Sequence, residues 1–343
     1  TVRYQLYKLT NYMEHTPELE ETEVYLQSMD FAHAWMLGLI PTEEIYRELM
    51  GRVNSPTRIK DITSALDEHN HSLFHSLTQK VVNRILEIEL QRGDSETQVT
   101  RLAEELHRVY GAETLIRILQ AFGKDTFIRD SYNWRNTKRG VLSSLLHACY
   151  PSTDDDSDTL KSLANQADIS HIRLVEAAMF APQWLELTEK ATGWKGLESA
   201  AYYFHAHTSE CFDDKKKAII ARYTPIAIED LQEGAFDIDW FKEAYKTIGK
   251  ERFEVVYNAA KYISLSNTHT RARKFADAVN GKTKAADAKK EIIAKRNKDL
   301  LMSYGLIPLG RKADKELLER YQFLQKFLKE SKEFGAQRQE SEK

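Results

Sequence analysis

Two histidines and a cysteine stand close together in the second half of the sequence and are the residues best suited to bind a metal. They are His205, His207 and Cys211, with Glu210 beside them. Imidazole and thiolate are common zinc ligands, but on a helix only His207 and Cys211, four residues apart, share a face. A further ligand would have to come from another segment. We therefore expect no metal and no cofactor, and interpret the histidines as partners of the last carbonyls of a helix packed by aromatic residues 202–204.

A second group of histidines lies in the first half of the chain. His71 and His75 are four residues apart, and His69 precedes them. A zinc-protease helix carries a glutamate directly after its first histidine, whereas Ser72 occupies that position here. These residues are more typical of a surface helix near its N-terminus.

One segment, residues 269–298, is strongly basic, with ten Lys and Arg against three acidic residues. Such a segment is a candidate for contacts with phosphate, and through phosphate with nucleic acid. Phe275 is its only aromatic residue, so the segment offers no platform on which bases could stack. We favour a solvated helix face and retain nucleic-acid binding as an alternative.

The second half is also rich in large aromatic residues: Trp184, Trp194, Trp240, Tyr202, Tyr203 and Tyr262. Aromatic residues at helical spacing are most often core residues, and we interpret them so. The alternative is a pocket in which neighbouring histidines and arginines hold an anion. The candidate binding residues of that pocket are Trp184, Trp194, His205, His207, Arg271 and Arg273.

Composition narrows the class of protein. The formal net charge is -3, so the chain as a whole carries no field that would attract a polyanion. The two cysteines, Cys149 and Cys211, exclude a disulfide framework and favour a reducing, cytoplasmic location. No apolar run approaches the roughly 20 residues that a membrane span requires. No nucleophile elbow, phosphate-binding loop or dinucleotide fingerprint occurs, which favours a protein that is not an enzyme.

The spacing of hydrophobic residues predicts an all-α fold, an irregular, α-solenoid-like array of antiparallel helix pairs with no significant β-sheet. Gly occurs 14 times and Pro 7 times, against roughly 24 and 17 in an average chain of this length, and few breakers favour long helices. Several caps are predicted. Gly93, Gly111 and Gly123 close helices, residues 95–98 form a capping box, and Ser170 caps a helix.

We predict three parts: an N-terminal helical region 1–150, a central region 151–282, and long C-terminal helices in 283–343. The first boundary is Pro151 to Asp158, with four aspartates in eight residues. A calcium loop would need a glycine and a terminal glutamate that are missing here, so we interpret this segment as a solvated linker. Because the chain begins without methionine and ends in a charged helical stretch, we expect an interior piece of a larger protein.

Several short motifs occur in a fixed order in the second half. They are Ala178 to Trp184, Gly193 to Glu198, Tyr203 to Thr208, Gly234 to Phe241, Tyr262, Arg271 to Arg273, and Arg320 to Arg338. Together they resemble large bacterial proteins of unknown function grouped with the molybdate-metabolism regulator-like family. The resemblance covers about residues 165–343 well, and 84–94 and 141–151 loosely. It implies that other domains of a parent chain are partners. Members often carry a nucleic-acid-associated WGR module, but no WGR tripeptide occurs here.

Three functions follow from these observations, in order of preference. The first is a helical scaffold with a regulatory role that presents a surface to a protein partner. The second is a sensor that binds an anionic small molecule or nucleic acid, and the third a metal-dependent enzyme that uses His205, His207 and Cys211. Independently of function, the helical faces predict core residues: Leu77, Val81, Ile85, Leu102, Leu106, Leu119, Leu145, Val175, Phe241, Val256 and Phe275.

Overall fold

The computed structural model describes residues 34–43, 72–129, 134–208, 212–264, 268–336 and 340. The chain divides into two compact units, Thr1–Leu187 and Thr188–Lys343. Within the described ranges, no helix combines the length and the apolar character that crossing a bilayer requires.

The described part of the first unit is built mainly from helices. In chain order its elements are α1 (Ser72–Leu90), α2 (Thr100–Glu104), β1 (Val109–Tyr110), α3 (Ala112–Phe122), α4 (Lys138–His147), β2 (Cys149–Tyr150), α5 (Ser157–Gln166), α6 (His171–Phe180) and a 3-10 turn (Pro182–Trp184). The division between the units falls within α7 (Leu185–Thr192).

The second unit continues with helices throughout its described residues. They are α8 (Leu197–Ala206), α9 (Asp214–Ile220), α10 (Ile228–Glu233), α11 (Ile238–Ile248), α12 (Lys250–Ala259) with a 3-10 turn (Ala260–Tyr262), α13 (His269–Val279), α14 (Ala285–Lys295), α15 (Lys298–Leu306), and α16 (Ala313–Glu330) with a 3-10 turn (Ser331–Phe334).

The all-α prediction is confirmed, since the structure is about 68% helical and its two short strands close no sheet among the described residues. The strands form one parallel pair in which Val109 lies opposite Cys149 and Tyr110 opposite Tyr150. The sequence did not indicate this pair because two residues are too few to show the alternation of a strand.

Two of the predicted helix caps, at Ser170 and Gly123, occur in the structure. The Ser170 hydroxyl accepts a hydrogen bond from the Arg173 amide at 3.2 Å. Gly123 ends α3 at a φ of 55°, and its amide donates to carbonyls of the preceding turn. Gly111 was wrongly predicted to close a helix, because it follows β1 and precedes α3 instead.

The predicted capping box at residues 95–98 is also wrong. Helix α2 begins only at Thr100, and the preceding Val99 makes no side-chain cap. The Thr97 and Thr100 hydroxyls bind the carboxylate of Glu89, so a tertiary interaction holds this segment in place of the predicted local cap.

The predicted core residues with described side chains are all buried, at no more than 5% exposure. The prediction for Leu77 stays a prediction, since its side chain lies outside the described part of the structure. The helical faces were therefore assigned correctly from hydrophobic spacing.

The acidic segment Pro151–Asp158 lies inside the first compact unit, whose limit is Leu187. The Asp155 carboxylate accepts hydrogen bonds from the amides of Ala112, at 2.9 Å, and Ser152, at 2.7 Å. Asp156 caps α5 by accepting from the Thr159 amide at 2.7 Å. Two of the four aspartates thus fasten this segment to helix ends.

Candidate functional site

The two histidines that the sequence singled out lie in the interior of the second unit, at the end of α8. His205 is fully buried and its ring lies 5.8 Å from that of Tyr202. His207 follows the helix, and its Nδ1 atom lies 2.8 Å from the Tyr203 carbonyl oxygen. Its ring packs between aromatic side chains, with Phe236 and Phe275 at centroid distances of 5.6 and 5.8 Å.

Burial determines the charge of His207. It lowers the pKa of the imidazole from 6.5 to about 4, although hydrogen bonds to the backbone of Tyr203 and Ala235 act in the opposite direction. The positive charge of Arg271 lowers this pKa further. His207 is therefore a neutral core residue at ordinary pH.

The third residue of the predicted metal cluster, Cys211, lies outside the described residues, as do His69 and His71 and the side chain of His75. Within the described ranges, no three His, Cys, Asp or Glu residues are grouped so that they could hold a metal ion. The alternative in which His205, His207 and Cys211 bind a metal therefore stays a hypothesis, because Cys211 lies outside the described residues.

The two arginines of the predicted anion pocket are engaged by protein groups. Arg271 donates from Nε to Asp299 at 2.7 Å and from a terminal nitrogen to the Gln232 carbonyl. Arg273 donates to the carbonyls of Tyr257 and Asn258, each at 2.9 Å. Both guanidinium groups therefore hold helices together within the second unit.

Trp184 and Trp194, the two tryptophans of the predicted anion pocket, are buried, and each contacts a different polar or charged group. Trp184, in the first unit, donates from its indole nitrogen to the Cys149 carbonyl at 2.7 Å. Trp194, in the second unit, lies under the guanidinium of Arg252, 5.5 Å from the ring centroid. All six aromatic residues that the sequence grouped are buried, as their interpretation as core residues predicts.

The basic segment 269–298 is divided between α13 and α14, and acidic residues accompany it. Lys282 forms ion pairs with Glu254 at 3.3 Å and Asp277 at 3.6 Å, and Lys295 pairs with Glu291. These pairs offset part of the positive charge that made the segment a candidate for binding phosphate.

A different arrangement of charged residues occurs in the first unit. It is a cleft of about 370 Å³, which we call the charged cleft. Among the described residues, its lining consists of Arg101, Glu104, Glu105, Arg135, Asn136 and Ser144. They come from α2, from the turn 134–137 that precedes α4, and from α4 itself.

A buried ion pair adjoins this cleft. Arg92 and Glu89 approach to 2.5 Å with side chains 1% and 0% exposed. The Thr100 hydroxyl lies 3.0 Å from the Arg92 guanidinium and 3.1 Å from a Glu89 oxygen. The Thr97 hydroxyl donates to that same Glu89 oxygen at 2.8 Å. Because a buried charge is costly unless it is paired and hydrogen-bonded, this network fixes the start of α2.

The same network holds the turn 134–137, which also lines the cleft. Arg92 donates to the Asn136 carbonyl at 2.8 Å, and the Asn136 amide donates to Glu104 at 2.6 Å. Asn136 has a φ of 63°, a left-handed conformation that few residues other than glycine adopt. A β-carbon at Gly140 would lie 2.1 Å from the Trp134 carbonyl oxygen, so the turn closes tightly on α4.

The chain matches a protein-family model over its whole length. Residues 1–343 match the model of a family of unknown function, DUF5724. The chain belongs to this family. No curated protein and no solved structure matches it. The family description contains no link to molybdate, so the resemblance to the molybdate-metabolism regulator-like proteins stays a prediction.

Sequence reasoning missed the charged cleft of this DUF5724 chain because its residues are spread over more than forty positions and form no motif. One signal was present. Glu89 follows Val81 and Ile85 at intervals of four, so it lies on the apolar face of α1. A carboxylate on a face that packs into the core requires a buried partner, and Arg92 is the nearest cation along the chain.

Proposed function

We propose that this DUF5724 chain is a helical interaction scaffold and that its docking surface is the apolar ridge of α16. The ridge consists of Leu317, Leu318, Tyr321, Leu324 and Leu328. The single observation that carries the proposal is the exposure of its first three residues, at 57%, 56% and 60%. Contiguous apolar side chains exposed on a folded protein commonly mark a surface that binds another protein.

The exposed part of the ridge lies beside the side of α16 that packs into the second unit. Arg320, Phe323 and Phe327 are buried in that unit. Leu317, Tyr321, Leu324 and Leu328 follow one another at intervals of three and four residues, so they share a second side of the helix. Leu324 is partly buried and packs against the core cluster that contains Phe323 and Phe327. Internal packing therefore does not account for the exposed part of the ridge, Leu317, Leu318 and Tyr321.

The charges at the two ends of the ridge favour a second copy of the same chain as the partner. Asp314 and Lys332 are equally distant from Phe323 along the sequence, as are Leu318 and Leu328. An antiparallel pair of α16 helices centred at Phe323 would place Asp314 of each copy near Lys332 of the other. Opposite charges at both ends of an apolar contact support this register.

The size of the ridge limits the affinity. Helix α16 has 18 residues, which corresponds to about 27 Å at 1.5 Å per residue. One helix of this length covers less than the roughly 800 Å² per partner of a standard interface. We therefore expect a weak dimer, with a dissociation constant in the micromolar range or above.

Sedimentation velocity over a wide range of concentrations tests the proposal. We expect a reversible dimer that Tyr321→Glu weakens at least about tenfold, since aromatic residues dominate such contacts. Ile293→Glu is the matched control, because Ile293 is 56% exposed but lies on α14. Asp314→Lys should weaken the dimer and Asp314→Lys with Lys332→Asp should restore it. A monomer at all concentrations, or no restoration by the double variant, would refute the proposal.

Three further parts of the proposal rest on the sequence. A reducing, cytoplasmic location is supported by the cysteine content, and buried Cys149 is a free thiol. Other domains of a longer protein, and a regulatory role, are supported by the resemblance described above. Nucleic acid is a weaker partner, because the basic segment is partly neutralised by acidic neighbours.

A further inference from the structure

We infer that the charged cleft of the first unit binds a small zwitterion, a molecule of amino-acid type that carries both a carboxylate and an ammonium group. The inference does not depend on the scaffold function, because the cleft belongs to the first unit and the apolar ridge to the second.

The charges of the lining residues define the class of ligand. Arg101 and Arg135 supply two positive groups, and Glu104 and Glu105 supply two carboxylates. A simple anion such as phosphate would meet repulsion from both glutamates, and a simple cation would meet repulsion from both arginines. A zwitterion is attracted by each pair in turn, since its two charges are separated within one small molecule.

Two of these groups are unpaired within the part of the chain that the structure describes. Arg101 and Glu105 form no side-chain hydrogen bond or ion pair with another described residue. A guanidinium group can bind a carboxylate through two parallel N–H donors, which fixes its orientation. The carboxylates of Glu104 and Glu105 then accept from the ammonium group, and the Ser144 hydroxyl can donate to or accept from either end.

The volume and the support of the cleft fit a small ligand. A volume of about 370 Å³ lies near the lower end of the roughly 300 to 1,000 Å³ that ligand pockets occupy, which favours an amino acid over a nucleotide or polymer. The Glu89–Arg92 network holds two parts of the lining, through Thr100, which precedes Arg101 on α2, and through Asn136 in the turn before α4. Preorganised walls reduce the entropy that binding would otherwise cost.

The experiment is a thermal-shift and calorimetric titration of the full chain with common free α-amino acids, each tested alone. Their N-acetyl and carboxamide derivatives, which lack one charge, serve as matched probes, together with inorganic phosphate. A ligand that binds the folded state raises the melting temperature by mass action. We expect at least one free amino acid to bind, and both of its blocked derivatives to bind at least about tenfold more weakly.

Variants then locate the site. Arg101→Gln should weaken binding of the same amino acid at least about tenfold, and Glu105→Gln should do likewise. Arg84→Gln is the control, since Arg84 is half exposed and lies on α1 outside the cleft lining. All three variants should retain the melting temperature of the unliganded protein. Binding of no amino acid, phosphate binding that equals theirs, or unchanged affinity in Arg101→Gln would each overturn the inference.

Discussion

Neutralising Glu89 should destabilise the first unit far more than neutralising an exposed glutamate on the same helix. Glu89→Gln keeps the shape of the side chain but removes its charge, so the Arg92 guanidinium loses its counter-ion while it stays buried. The Thr97 and Thr100 hydroxyls, which donate to the carboxylate, would also face an amide that can itself donate. The variant thus isolates the effect of charge in a site where both side chains are almost completely buried.

The expected loss follows from what a buried ion pair costs when one partner is removed. Breaking such a pair typically costs about 3 to 5 kcal/mol, because a charge then stays in the interior without compensation. The first unit spans residues 1–187. For a body of that size, each kcal/mol corresponds to about 2 to 4 °C in melting temperature. We therefore expect the transition of this unit to fall by about 6 to 20 °C.

Calorimetry and urea unfolding, followed by circular dichroism, measure the effect. Glu87→Gln is the control, since Glu87 pairs with Arg84 at the same spacing of three residues but both side chains are 50% exposed. An exposed pair contributes little, so this variant should stay within about 0.5 kcal/mol of the wild type. If Glu89→Gln costs no more than Glu87→Gln, the network does not hold the unit together in the way described.

Two further predictions concern the second unit. Because the pKa of His207 is about 4 when folded and about 6.5 when unfolded, the unfolded chain binds the proton more strongly. Stability therefore falls as the pH is lowered, by about 1.4 kcal/mol per pH unit between these two values. His207→Phe should lose this component in urea titrations from pH 7 to 5, while exposed His107→Gln should keep it. Gly234→Ala should cost about 1 to 3 kcal/mol, because Gly234 has a φ of 122° and a β-carbon there would lie 2.2 Å from the Met302 sulfur. Gly305→Ala, where a β-carbon meets open space, should change stability by no more than about 1 kcal/mol, and an equal loss in both variants would contradict the argument.

The features that could be predicted from the sequence are those that depend on residues close together in the chain. Hydrophobic spacing identified the buried faces of the helices, and Ser170 and Gly123 occupy the caps assigned to them. These features depend on groups within one turn of a helix. Thr97 shows the limit, because its hydroxyl binds the Glu89 carboxylate, and the sequence does not show that Glu89 lies within reach.

The candidate sites show the same limit. His205 and His207 were candidate metal ligands because residue types that bind metals lie close together there. In the structure both are buried among aromatic rings. Arg101 and Arg135 belong to no recognisable motif in the sequence. They line the same cleft because α2 packs near the turn before α4. Chemistry that depends on packing between distant segments leaves no spacing pattern to recognise.

The Glu89–Arg92 pair also connects stability with the charged cleft. Hydrophobic residues of similar size often replace a buried ion pair without loss of stability, so stability alone does not explain why a charged pair occupies this position. A hydrophobic pair could not hold the Asn136 carbonyl, which Arg92 binds at 2.8 Å. Nor could it bind the Thr100 hydroxyl at the start of α2. The two contacts that require the charged pair are thus those that hold the start of α2 and the turn before α4, which both contribute to the cleft. On this argument, Glu89→Leu combined with Arg92→Met restores much of the stability that either single change removes, while the cleft loses its shape and its affinity for a zwitterion.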